Sequence, residues 1–236
     1  MCPVSSDTVV EAVLLAATCG VYIFAGYRAF RIRKALVGAL YRSRALWSIV
    51  FAALFVPFVI AILPFNFSSG IPVLELDALG AFIIVFNFAA FVFCDRTILV
   101  ARELDFFHRD TLGYGKVRWL VWTMSAVGMF GSLYGPSSGW VSYLFAILWP
   151  GPLAYFAVAL AATSLRVPDR AIKSYSKWFG LFTGVIAISF LALTGGILPL
   201  VAGMLVASIF YYRATVSLSA TSKLDLATLS PIPAAA

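Results

Sequence analysis

The chain has 236 residues, of which 62% are hydrophobic and 11% charged. A soluble domain is near half apolar and about a quarter charged, and it must cover its core with polar groups. This composition therefore excludes an ordinary soluble fold and makes lipid the solvent for much of the surface. The net charge of +7 does not call for nucleic acid, because membrane proteins collect Lys and Arg in their cytoplasmic loops.

A helix that crosses a bilayer needs about 20 mainly apolar residues. The first such stretch is 8–27. Asp7 and Glu11 stand where a signal peptide carries basic residues, and Arg28 onward follows it, so the segment is expected to be retained as a span. Glu11 lies about one helical turn inside. Arg28, Arg31, Arg33, Lys34, Arg42 and Arg44 then precede a second span at 45–64, where Pro57 predicts a mild kink. Glu75 and Asp77 stand near the entrance of the third span, 72–94, and Asn87 near its middle.

The connection 95–117 mixes Ile98, Leu99, Val100, Leu104, Phe106 and Phe107 with Arg96, Arg102, Glu103 and Asp105. That mixture predicts a prolonged third helix or a helix lying along the inner surface. Spans four and five follow at 118–134 and 140–163, the fifth interrupted by Trp149-Pro150-Gly151-Pro152. Proline has no N–H, so Pro150 and Pro152 should leave the carbonyls of Ala146 and Leu148 without their helical donors. Gly195-Gly196 divides 176–194 from 197–213, with Pro199 tolerated in the first turn of the last span. Residues 214–236, rich in Ser, Thr, Ala and Pro, predict a disordered cytoplasmic tail.

The expected fold is all-α: one domain over 1–213, a polytopic bundle of about seven transmembrane helices, with the N-terminus outside and the C-terminus cytoplasmic. Charge placement is an independent reason for that count. All 17 Lys and Arg fall in the segments between spans 1–2, 3–4 and 5–6, at their edges, or after span 7. The opposite face carries Asp7, Glu11, Glu75 and Asp77 and no basic residue. Adding or removing one helix would scatter the basic residues over both faces, against the positive-inside rule.

Tyr27, Tyr41, Trp47, Trp119, Trp178, Tyr211 and Tyr212 are expected at the inner boundary, and Tyr134 and Trp140 at the outer one. Ala16/Gly20, Gly180/Gly184 and Gly203/Ala207 have the four-residue spacing that lets helices approach closely in lipid. Cys2, Cys19 and Cys94 are an odd count without close spacing, so neither a disulfide framework nor a zinc site follows from them.

Several chemistries are excluded by residue type. His108 is the single histidine, which rules out a bis-histidine haem pair within the bundle and a membrane hydrolase with several histidine ligands. The last span has no Lys for a retinal Schiff base. His108-Arg109-Asp110 copies three letters of the kinase catalytic loop without a Gly-rich loop, strand Lys or DFG to accompany it. With no nucleophile–base pair or phosphate loop in view, the chain is expected not to be an enzyme and to need no cofactor or metal.

Two groups of residues carry the functional expectations. Glu11, Asn87, Ala146, Leu148, Pro150 and Pro152 are the candidates for a substrate or ion site, since polar groups and broken helices at mid-membrane are costly and often functional. Arg28, Arg31, Arg33, Lys34, Arg102 and Arg109 are the candidate contacts to a partner or to anionic lipid. The leading expectation is a multi-pass cell-membrane protein acting as a sensor or scaffold subunit, which engages a separate protein partner or a second copy through its basic cytoplasmic loops. The alternative is a small transporter or channel with its site at the kinked fifth span. Anionic lipids at the cytoplasmic face are the expected lipid partners, and nucleic acid is not expected.

Overall fold

In lipid a backbone must satisfy its own hydrogen bonds, and long apolar runs with few interior prolines do so as helix. The computed structural model describes residues 6–31, 43–55, 85–99, 114–134, 139–166, 170–191 and 197–221, and among these it is all-α, with eight helices and no strand. They are α1 (Ser6–Arg31), α2 (Ser43–Phe55), α3 (85–99), α4 (Tyr114–Tyr134), α5 (Trp140–Leu148), α6 (Gly151–Arg166), α7 (Arg170–Leu191) and α8 (Ile197–Thr221).

Two of these are long and apolar enough to cross a membrane: Val9–Arg31 within α1 and Leu198–Ser217 within α8. Helices α5 and α6, bent 43° at their junction, pass together as a broken third. The chain is therefore a membrane protein. Helices α4 and α7 have 21 and 22 residues, and the lysines and arginines near their N-terminal ends, with several hydroxyls, lower their hydropathy. Parts of the predicted second and third spans, 56–64 and 72–84, lie outside the described residues.

Helix α3 is the axis of the bundle. Phe86, Asn87, Ala90, Phe91, Phe93, Cys94 and Asp95 are each 1% exposed or less, so most of its circumference is enclosed, with one open stripe through Val85, Phe88 and Arg96. The Phe93 ring meets Trp47 and Phe51 of α2, Phe179 and Phe182 of α7, and Tyr211 of α8, with centroids 5.5–6.1 Å apart. Phe91 meets Trp122 of α4 at 4.6 Å and Phe156 of α6 at 5.9 Å. Each such pair adds about 0.5–1.5 kcal/mol beyond area burial. Around this axis α8 packs on α1 and α7, and α6 on α7.

Small residues set the spacing of these helices, although not all of those singled out by spacing do so. A Cβ on Gly203 would collide with Ser189 of α7, and one on Gly128 with the backbone of Leu148 and Trp149. Gly180 and Gly184 both face Ala157 of α6. The Ala16/Gly20 pair instead lies on the exposed side of α1, and nothing stands within 4 Å of a Cβ built on Gly20.

The last helix continues to Thr221, eight residues past the predicted span and into the segment expected to be disordered. The reason is packing, since Ala214 and Thr215 are fully buried. Helix α3 likewise runs past 94 to residue 99, in keeping with a prolonged third helix. Cys19 and Cys94, free thiols expected to behave as small apolar residues, are both buried within the bundle.

Candidate functional site

Arg44 stands one residue before the predicted second span, among basic residues expected in a cytoplasmic loop. The structure corrects that placement. Arg44, Ser48, Phe51 and Phe55 recur at four and three residues along α2, so they share one helical face, and each is 0% exposed. That face is turned inward, so the Arg44 side chain passes between α3, α7 and α8.

Three neutral acceptors hold the guanidinium. Nη1 donates to the Tyr211 carbonyl at 3.2 Å and to Thr215 Oγ1 at 3.0 Å, and Nη2 donates to Tyr175 Oη at 3.1 Å. Four rings surround the cation, with Cζ lying 4.8 Å from the Tyr211 centroid, 4.9 Å from Tyr175, 5.2 Å from Phe179 and 5.6 Å from Phe93. The Arg44 carbonyl in turn accepts from Ser48 Oγ at 2.7 Å and Tyr211 Oη at 2.8 Å, locking α2 to α8. Among the described residues no carboxylate pairs with Arg44, and its Nε has no hydrogen-bond partner. Burying an unpaired charge costs several kcal/mol. Cation–π contacts return about 0.5–2 kcal/mol each, so the cage explains how the charge is tolerated without neutralising it.

A second polar cluster ties α3 to α4. Arg118 grips Asp95 side-on, Nε to Oδ1 and Nη2 to Oδ2 both at 2.8 Å, and the Tyr114 hydroxyl also donates to Oδ1. Asp95 lies one residue beyond the predicted third span. Burial pushes its pKa up, but the hydrogen bonds from Arg118 and Tyr114 outweigh burial and hold the carboxyl below the usual aspartate range. This pair is internally balanced.

The predicted break in the fifth span is present. Helix α5 ends at Leu148, the Trp149 amide still donates to the Phe145 carbonyl at 3.0 Å, and the Pro150 carbonyl accepts from Leu153 and Ala154 to start α6. Pro150 and Pro152 are buried, Leu148 is half-buried and Ala146 is exposed, so the two carbonyls proposed as ligands belong to residues facing different surroundings. Glu11 is half-buried on α1. Asn87 is 1% exposed on α3, and its Nδ2 has no hydrogen-bond partner. Of the basic contact candidates, Arg28 and Arg31 are exposed in the last turn of α1, where Arg31 lies 4.9 Å over the Tyr27 ring. Arg33, Lys34, Arg102 and Arg109 lie outside the described residues.

Boundary aromatics divide in the same way as the basic residues. Trp119 and Trp140 are 77% and 76% exposed, which suits interfacial anchors. Tyr211, expected with Trp119 at the inner boundary, is fully buried as a wall of the Arg44 cage. A signal for both misplaced residues exists in the spacing. Met204, Ala207, Ser208, Tyr211 and Thr215 form one face of α8, just as Arg44, Ser48, Phe51 and Phe55 form one face of α2.

The chain was compared with protein-family models, curated proteins and solved structures, and nothing matches it.

Proposed function

We propose that the chain is a seven-span cell-membrane protein, N-terminus outside and C-terminus cytoplasmic, that acts without catalysis as a sensor or scaffold subunit. It would engage a separate protein, or a second copy, through its basic inner face, with anionic lipid filling the rest of that face. One observation carries this reading: the bundle's centre is filled with rings. Phe51 alone contacts Tyr22, Phe86, Phe93, Phe182 and Tyr211, at centroid distances of 5.1–6.3 Å. Transport needs an aqueous path to mid-membrane polar groups, whereas a scaffold needs a rigid interior and an available edge. Exposed Arg28, Arg31, Lys173, Lys177 and Arg213 supply that edge.

A transporter or channel using the broken fifth span is the second reading. The 43° bend and the buried Asn87 amide favour it. The two readings part on water access. Single cysteines at Asn87 or Pro152, in a background lacking Cys2, Cys19 and Cys94, should resist a water-soluble thiol reagent in intact and in opened membranes. Ready labelling at either position would overturn the scaffold reading in favour of transport.

A further inference from the structure

Arg44 and Arg118 present the same chemical edge to different surroundings. The guanidinium edge formed by Nε–H and one Nη2–H matches the two oxygens of an oxyanion. In Arg118 that edge holds both oxygens of Asp95, each at 2.8 Å. In Arg44 the Nη1 end is committed to Tyr211 and Thr215, Nη2 gives one bond to Tyr175, and Nε gives none. Five N–H groups therefore serve three acceptors among the described residues. The charge is wholly buried and lacks a carboxylate partner among the described residues. A neutral acceptor would satisfy the spare N–H groups but leave the charge unpaired, whereas an anion answers both.

We propose that Arg44 is the cationic centre of a site for an oxyanion of the phosphate class, bound at its Nε–Nη2 edge between α2, α3, α7 and α8. Phosphate suits the place as well as the edge. Arg44 stands next to the predicted inner boundary, the depth of inner-leaflet phosphates. The source is either an anionic lipid headgroup or free phosphate from the cytoplasm. The Tyr175 hydroxyl, 3.1 Å from Nη2, would share one of the remaining oxygens. This assignment does not depend on whether the bundle scaffolds a partner or transports a solute.

The test uses the full chain purified in neutral detergent and stripped of co-purified lipid. Thermal stability is followed while adding inorganic phosphate, phosphatidylglycerol micelles or phosphatidylcholine micelles. The arginine Nε–H signals of isotope-labelled protein are followed in parallel, with the Arg44 signal assigned by its loss in Arg44→Lys or, failing that, Arg44→Met. Saturable stabilisation by phosphatidylglycerol alone assigns a headgroup, and by inorganic phosphate assigns the free ion. Either should move the Arg44 Nε–H signal. Arg44→Lys keeps the charge without the fork and should weaken the effect at least tenfold, whereas Arg28→Ala/Arg31→Ala should retain it. No saturable effect from either anion would overturn the site, and so would an equal response in Arg44→Lys. If neither Arg44 variant folds, Arg28→Ala/Arg31→Ala decides. Abolition of the effect there places binding on the exposed basic edge and refutes the proposal, and retention supports it.

Discussion

Arg44 and Asp95 are both buried charges, and they should respond to removal in opposite ways. Replacing Asp95 leaves Arg118 without its carboxylate, and breaking a buried pair from one side costs about 3–5 kcal/mol. Arg118 is 33% exposed, so water recovers part of that loss and about 1–3 kcal/mol is the expected cost of Asp95→Ala. Arg44→Met deletes a charge that has no carboxylate partner among the described residues and leaves, among these, the Tyr175 and Thr215 hydroxyls and one carbonyl to re-pair. Its cost in lipid-free detergent should fall below that of Asp95→Ala. Chemical unfolding of the two variants checks the order, and a larger loss in Arg44→Met would mean that the cage, rather than the ion pair, holds the inner end together.

Asp95 also predicts a pH dependence whose sign follows from its depressed pKa. A carboxylate more acidic in the folded state contributes stability that is fully present above its unfolded pKa of about 3.9. That contribution is lost as pH falls through the lower folded value. Thermal stability of the wild type should therefore drop on acidification below about pH 4, while Asp95→Asn, already lacking the contribution, changes less. Parallel acid titrations measured by melting temperature decide the point.

At the scale of helices, packing depends on which small residues face a neighbour. Gly203 lies where α8 passes Ser189 of α7, so Gly203→Val should force the helices apart and cost about 1–3 kcal/mol. Gly20→Val points into open space and should be close to neutral. The two positions read alike in sequence, since each is half of a four-residue pair. Spacing reports that a close approach is permitted but not which face is covered. The helices themselves were legible because apolar run length and basic punctuation are one-dimensional signals. The 149–152 break was legible because missing N–H groups are chemical facts about proline. Arg44 was not, because a charge beside a span reads as loop until its face is followed through Ser48, Phe51 and Phe55. Nor was the extension of α8, whose last turns are polar in composition and helical because Thr215 is enclosed against Arg44. Replacing Pro150 and Pro152 by Ala restores two backbone donors and should straighten the α5–α6 junction with little loss of function if the bend only shapes the bundle. Abolished function in a stably folded double variant would return the freed carbonyls of Ala146 and Leu148 to consideration as ligands.

For the whole molecule the decisive quantity is which side of the membrane each loop occupies. The 17 basic residues and the four outer acids predict that Ser69 and Ser138 face outside and the segment before the sixth span faces in. Ser174 lies in that segment, but its hydroxyl sits 2.9 Å from Ser217 and it is half-buried, so poor labelling there would have two causes. Lys173 is exposed and makes the cleaner inner reporter. In a background without Cys2, Cys19 and Cys94, cysteines at 69 and 138 should react with an impermeant reagent applied to sealed, right-side-out cells. A cysteine at 173 should react only after the membrane is opened. If position 173 labels in sealed cells, the orientation is reversed. The basic edge would then face outside, and a cytoplasmic partner could not be what it engages. If 69 and 138 fall on opposite sides, the helix count is wrong by one between them, and either the third predicted span or α4 does not cross as a single span.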